Sequence, residues 1–312
     1  MEFFKSNMNI NFMALRRYTF MFSIAITILS IASNLWSPLN LSMEFTGGHQ
    51  IVLTFDESQN VGDLRDALET SHPDLNPSIQ TYGSDQSFMF KFGTHSDDSN
   101  AEQSTIMKAL KNTLPPYQLT SKDVISAQMG KSMLAYSVVA TLIAMVVTMI
   151  YIALRFEYRF AIAAILSLIH DPVLILGVFS FFQIEFTMIT LAALLTTLGY
   201  SLNDTIVVYD RIRENYRKFV NKTPIEIVNL SINETLSRTI ITSGLTALSV
   251  LALLVFGGET LYGFSLAFLI GIGIGTYSSI YIAGSLAVIF GFNSQSLLTF
   301  KQKYQGELDD YS

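Results

Sequence analysis

Long apolar runs constrain this chain more than anything else in it. By the ~20-residue length needed to cross a hydrocarbon core, about six segments qualify as membrane spans. They are Tyr18–Trp36, Met133–Leu154, Phe160–Phe182, Phe186–Val208, Thr239–Phe256 and Leu261–Phe290. The last is overlong and is expected to tilt or to run past the bilayer. Only 14% of the 312 residues are charged, against roughly 25% in soluble proteins. A cleavable signal peptide is the competing reading of the first run, since basic residues precede it. Further apolar runs follow, however, and no small-x-small cleavage site ends it.

Between the first and second runs the composition changes. Residues 37–132 are polar and read as a small folded domain. Gln50–Phe55 alternates and is rich in β-formers, as a half-buried strand should be. Val61–Thr70 places Val61, Leu64 and Leu68 on one helical face, and Ala101–Leu114 does the same with Ile106, Leu110 and Leu114. Ser78–Tyr82, Ser87–Phe92 and Tyr117–Ile125 read as further strands. The order β-α-β-β-α-β is that of a ferredoxin-like α+β unit. The expected fold is therefore a polytopic helical membrane protein with six transmembrane helices and one small ferredoxin-like domain. Its segments are a tail 1–17, a first helix 18–36, the domain 37–132, a five-helix bundle 133–290 and a tail 291–312.

Lysine and arginine give the orientation. Lys5, Arg16 and Arg17 precede the first span. Arg155 and Arg159 flank the turn after the second. Arg211, Arg213, Arg217, Lys218 and Lys222 fill the loop after the fourth, and Lys301 and Lys303 lie in the tail. The opposite connections, Gln183–Glu185 and Gly257–Thr260, carry no base. The positive-inside rule then places both termini in the cytoplasm and the domain 37–132 in the periplasm or outside the cell.

The fourth run contains a carboxylate, Asp204. A charge at that depth costs roughly 2.5–3.5 kcal/mol on insertion scales, so it marks a functional site with a partner. Ala192, Thr196 and Tyr200 precede it at four-residue steps, and this small, polar face is expected to look into the bundle. Asn203 adds a polar neighbour. Arg238 stands at the start of the fifth run, with Thr242 and Thr246 following at four-residue steps. A guanidinium beside the acid would hold it ionised, and its withdrawal would invite a proton. An ordinary interfacial arginine is the bland alternative. His170-Asp171-Pro172 lies mid-span in the third run. A His–Asp pair can relay protons or satisfy itself structurally, and Pro172 is expected to kink the helix. Gly271, Gly275, Ser279, Ala283 and Ala287 form a small-residue stripe for close helix packing.

Some functions are excluded or disfavoured. There is no cysteine, hence no disulfide or thiolate metal site. No Walker A or H-E-x-x-H motif occurs, so ATP use and catalytic zinc have no visible means. A net charge of −6 argues against nucleic acid as a partner. An intramembrane aspartyl protease built on Asp171, Asp204 and Tyr209-Asp210 would need two carboxylates sharing a proton. The Gly-x-Gly-Asp element of such enzymes is missing, and no enzymatic activity is expected.

Several blocks, taken together, carry a resemblance. They are Leu41–Gly48, Leu154–Phe160, His170-Asp171, Gly199–Asn215 and Asn233–Thr239. In order and spacing these resemble the SecF side of the SecD/SecF family of protein-export membrane proteins, within the resistance-nodulation-division superfamily. Such proteins usually carry Asp where this chain has Glu44, and an aliphatic residue where it has Pro172. The resemblance implies a SecF subunit that acts with SecD to complete protein export across the bacterial inner membrane, using the proton motive force. It implies SecY, SecE, SecG, SecA and YajC as further partners and exported preproteins as cargo. It implies no bound cofactor, with protons, or sodium in some relatives, as the coupling ion. It maps the intramembrane acid and base onto Asp204 and Arg238. The alternative is half of a small-molecule exporter of the same superfamily, which would need a second chain to reach twelve helices.

Overall fold

A computed structural model describes residues 10–75, 77–93, 99–219 and 221–290. Lys5, and the tail 291–312 with Lys301 and Lys303, lie outside the described residues. A 3-10 turn, Phe12–Leu15, runs into α1, Arg16–Trp36. The single turn α2, Met43–Thr46, leads into β1 Gly48–Phe55, α3 Val61–Ser71, β2 Ser78–Tyr82, β3 Ser84–Gly93, α4 Ser99–Thr113 and β4 Tyr117–Ile125. Four long helices follow: α5 Ala127–Arg155, α6 Tyr158–Phe181, α7 Met188–Lys218 and α8 Pro224–Phe256. The final crossing is α9 Gly258–Tyr277, a π-helical turn Ser278–Ala283 and α10 Gly284–Ile289. Among the described residues, six helical segments are long and apolar enough to cross a membrane.

The sheet follows from alternation. Ile51, Leu53 and Phe55 of β1 and Phe88, Phe90 and Phe92 of β3 point to one face and are buried there with Leu64, Leu68, Ile106 and Leu110 of α3 and α4. Cross-strand pairing sets Ile51 opposite Phe90 and Leu53 opposite Phe88. The strand order is β2-β3-β1-β4, and every neighbouring pair is antiparallel. The other face, with Gln50, Gln80, Met89 and Lys91, looks across a cavity of about 460 Å³ at Glu185 and Tyr262 of the helical part.

Helix ends depart from the hydropathy boundaries because caps, not lipophilicity, fix them. α5 begins at Ala127 rather than Met133. Ser126 is its cap and accepts from the Met129 N–H at 3.2 Å. It therefore starts inside the stretch assigned to the polar domain. α8 begins at Pro224, where Thr223 and Glu226 make a capping box, a reciprocal pair of bonds to the first free backbone amides. Arg238 consequently lies within α8, not at its start. α7 continues to Lys218, so Arg211, Arg213, Arg217 and Lys218 lie on a helix and not in a loop. Arg211–Glu214 at 2.5 Å, Lys218–Glu214 at 2.6 Å and Arg213–Asp210 at 3.3 Å link its successive turns. These are the spacings at which helical side chains meet. α6 runs through Pro172 without a break.

In lipid, helices associate through close packing and hydrogen bonds rather than hydrophobic burial. Small residues supply both here. A Cβ on Gly177 of α6 would lie 2.7 Å from the Ser30 Cα of α1, and Ser33 and Ser180 hydrogen-bond at 3.0 Å nearby. α7 and α9 touch along Thr190–Gly263, Thr197–Gly271 and Ser201–Gly275, each too close for a β-carbon without a shift. Ser279, Ala283 and Ala287 continue the buried stripe.

The acidic and basic groups of α7 and α8 gather at one end. Arg155 pairs with Asp210 at 3.2 Å, and Arg211 with Glu234 at 2.7 Å. Asn229 and Asn233 hold the backbone of Ile10 there. The sheet stands at the opposite end, beside the connection that leads into α7.

Candidate functional site

Asp204 is 3% exposed on the inner face of α7. That face is Thr190, Ala193, Leu194, Thr197, Leu198, Ser201, Asp204, Thr205 and Val208, all buried. The row expected to accompany Asp204 is placed otherwise. Ala192 and Thr196 are exposed, Tyr200 is half-buried, and Asn203 is exposed. A helix turns 3.6 residues per cycle, so each four-residue step drifts by about 40°. Over three steps the row leaves the face. The Thr196 hydroxyl instead donates to the Ala192 carbonyl at 2.7 Å.

The same geometry displaces α8. Thr239 and Ser243 are buried, whereas Arg238 and Thr242, one position earlier, are exposed. One residue is about 100° of helix rotation. The Thr242 hydroxyl donates to the carbonyls of Arg238 and Thr239. The residue that meets the acid is Ser243, whose hydroxyl donates to Asp204 Oδ2 at 3.5 Å. Ser243 is also hydrogen-bonded to Thr276 of α9 at 2.9 Å and accepts from the Tyr200 hydroxyl at 3.3 Å. No ion pair joins Arg238 and Asp204 among the described residues.

A second polar cluster surrounds Asp171, which is fully buried on α6. It accepts from the hydroxyl of Ser201 on α7, from Ser278 at 3.0 Å, and pairs with His170 Nδ1 at 3.0 Å. Ser278 opens the π-helical turn. Such turns insert an extra residue into a helix and recur at functional sites. His170 lines two crevices beside α1, of about 190 and 240 Å³. The two clusters meet along α7, where Ser201 and Asp204 are successive members of one face. No hydrogen bond joins the two acids among the described residues, so they do not form the proton-sharing pair of an aspartyl protease. Asp210 is committed to Arg155 and Arg213, and the hydroxyl of Tyr209 to the Ala283 carbonyl at 3.1 Å.

Ser201, Ser243, Thr276 and Ser278 were not singled out in the sequence. Ser201 lies inside the block Gly199–Asn215. The three-and-four spacing of Thr197, Ser201, Asp204 and Thr205 is the signal that marks the inner face.

A polytopic bundle with buried carboxylates at mid-helix and a small sheet domain at one end defines the class of membrane transport subunits. The comparisons narrow it. The family model described as "Protein export membrane protein SecD/SecF, C-terminal" matches residues 105–293. The Vibrio alginolyticus protein named protein translocase subunit SecF is 38% identical over 312 residues, covering 99% of each chain. The Pseudomonas aeruginosa protein of the same name is 35% identical, covering 93% of this chain and 94% of that one. The crystal structure of SecDF from Thermus, a translocon-associated membrane protein, superposes with a TM-score of 0.78 at 35% identity, over 92% of this chain. SecDF in a super-membrane-facing form gives 0.71 at 33% identity. The chain belongs to the SecD/SecF family. It spans 39% and 40% of those two SecDF chains.

Proposed function

We propose that this chain, an accessory subunit of the Sec translocase, works with SecD to couple proton movement to the completion of protein export. One observation carries the proposal. A buried carboxylate, Asp204, sits on a membrane-spanning helix with a long hydroxyl contact from Ser243, and among the described residues no ion pair joins it to Arg238 of the neighbouring helix. A carboxylate so placed can take and release a proton, with the Arg238 charge favouring its ionised form. One charge crossing 100 mV supplies about 2.3 kcal/mol, enough to bias a conformational switch. His170 and Asp171 form a second arm, which hands protons toward Ser201, on the Asp204 face. Sodium is the alternative coupling ion, and no bound cofactor is required. Small-molecule export is not favoured, because the relatives are named as translocase subunits.

Thr196 and Asn203 of α7 and Arg238 and Thr242 of α8 are exposed polar residues on membrane-spanning helices. Lipid solvates such groups poorly, so these helix faces are the ones that SecD covers. The channel of SecY, SecE and SecG, the SecA motor and YajC complete the assembly. The basic end of the bundle and both termini lie in the cytoplasm of a bacterial inner membrane, in keeping with the positive-inside rule. The sheet domain is a periplasmic ferredoxin-like unit. Its strand order supports this, since a third strand lies between the two strands that each helix connects.

The test is late-stage export of a preprotein in membrane vesicles under separate proton and sodium gradients. Asp204→Asn should abolish gradient-driven export while SecD still copurifies. Export at the wild-type rate by that variant would refute the proposed role of Asp204.

A further inference from the structure

We infer that Glu44 is a positioning residue, which anchors the helix carrying Asp204 to the root of the sheet domain. The inference rests on the proton-coupled reading above. The first turn of a helix leaves backbone amides without partners and favours negative charge. In α7, Thr187 serves one of them, accepting from the Thr190 N–H at 3.1 Å. The N–H of Met188, the first residue of the helix, donates instead to Glu44 Oε2 at 2.7 Å, across a sequence separation of 144. The hydroxyl of Ser42 donates to the same oxygen at 3.1 Å and fixes the rotamer.

The segment that bears Glu44 is itself held on three sides. Residues 40–42 bond in parallel with the connection before α7. Phe186 donates its N–H to the Asn40 carbonyl at 2.8 Å, and Ser42 donates to the Phe186 carbonyl at 3.1 Å. Phe45 stacks on Phe186 with ring centroids 6.2 Å apart. Gly47, at φ 83°, is wedged against α5, where a β-carbon would lie 2.7 Å from the Ala127 Cα. Its neighbour Gly48 opens β1. On the sheet, Lys91 reaches the same connection through Glu185 at 3.1 Å.

α7 is continuous from Met188 to Lys218, so at 1.5 Å per residue Asp204 lies about 24 Å along the rod from its anchor. An axial shift of α7 must move Glu44, and Glu44 belongs to the chain that becomes β1. The strut thus converts a change at Asp204 into displacement of the sheet domain.

The test uses the chain assembled with SecD and the translocase. The sequence has no cysteine, so when this chain is labelled before assembly, spin labels attach only at Lys122→Cys on β4 and Arg217→Cys on α7 and report the domain-to-helix distance. The wild type should shift that distance when a proton gradient is imposed. Glu44→Ala should lose the shift and slow export by at least about tenfold, the lower end of the factor carried by one hydrogen bond to a charged group. Glu44→Gln, which keeps an acceptor but not the charge, should fall between the two, and it carries the test if the alanine variant fails to assemble. Glu44→Asp keeps the charge but sets it one methylene back from the Met188 N–H, and should keep more of both readouts than Glu44→Ala. If Asp204→Asn is inactive while Glu44→Ala and Glu44→Gln export and shift like the wild type, the anchor is overturned and the proton reading stands. If Asp204→Asn also behaves as the wild type, the proton reading fails and the anchor falls with it.

Discussion

The hydroxyl of Ser243 donates to the carboxylate of Asp204 at 3.5 Å, and among the described residues no ion pair holds that acid. This contact is long for a hydrogen bond. A carboxylate gripped by a bidentate guanidinium would be fixed in its charged form. One held loosely by a hydroxyl can change its charge at less cost. Ser243 also ties Thr276 of α9 and Tyr200 of α7 into the same contact, so the acid is read by three helices at once.

Ser243→Ala should therefore weaken gradient-driven export without abolishing it. The variant removes one long hydrogen bond to the acid, which at that length is worth about 0.5–1.5 kcal/mol, or roughly twofold to tenfold in rate. Arg238 and the burial of Asp204 both remain. Export kinetics in vesicles decide the matter. Complete loss would give the hydroxyl a larger part than a supporting one.

Asp171 should answer differently, because its carboxylate meets three polar partners, Ser201, Ser278 and His170. It is fully buried and receives the hydroxyls of Ser201 and Ser278. Ser201→Ala with Ser278→Ala leaves that carboxylate without its hydroxyl donors, at about 1–3 kcal/mol for each lost partner. Asp171→Asn keeps an acceptor for one hydroxyl and removes the buried charge, so it should cost less than the double variant. Thermal unfolding of the purified chain in detergent ranks the two. The reverse order would show that the charge itself holds α6, α7 and the π-helical turn together.

Much of this arrangement was legible in the sequence, and the remainder has a physical reason for being hidden. The strands declare themselves because Ile51, Leu53 and Phe55 alternate with residues of the opposite face, and a period of two admits no drift. The acid at position 204 declares itself through its cost in an apolar run. Helix ends are less visible, since Ser126 and the Thr223–Glu226 box begin helices in polar sequence that hydropathy assigns elsewhere. The buried faces of α7 and α8 lie one position from the four-residue rows, at Thr197 and Ser243 in place of Thr196 and Thr242, because such a row slips around a 3.6-residue helix. The Ser201–Asp171–Ser278 cluster was not visible at all. Its members come from three elements and meet only when Gly275 lets α9 close on α7.

The α1–α6 crossing yields a prediction of stability. Gly177 faces the Ser30 side chain and backbone of α1, with a built Cβ 2.3 Å from Ser30 Cβ and 2.7 Å from its Cα. Backbone cannot rotate out of the way as a side chain can. Gly177→Ala should therefore push α1 off α6 and cost about 1–3 kcal/mol, the usual penalty of overpacking. The Ser33–Ser180 bond beside it should break. Gly273 meets nothing within 4 Å, so Gly273→Ala is the control and should leave the melting temperature in place. Equal melting for the two variants would mean that the crossing relaxes freely.

The sheet domain can be tested apart from the membrane clusters. Phe90 is fully buried at the centre of β3, opposite Ile51 of β1 and Ile79 of β2. Truncating such a side chain removes its transfer energy and leaves a cavity, at about 3–5 kcal/mol. A domain of this size is stabilised by little more than that. Phe90→Ala in the full chain should thus unfold the sheet while the helices, held by their own glycine and serine contacts, persist. Amide hydrogen exchange should show protection lost across β1, β3 and α4 and kept in α6, α7 and α9. The root of the domain, Leu41 to Gly47, is bonded to the helical part and not to the sheet core, so it should stay protected together with α7. Loss of protection in α7 as well would mean that sheet and bundle fold as one cooperative unit, and that the root cannot hold its place once the sheet has gone.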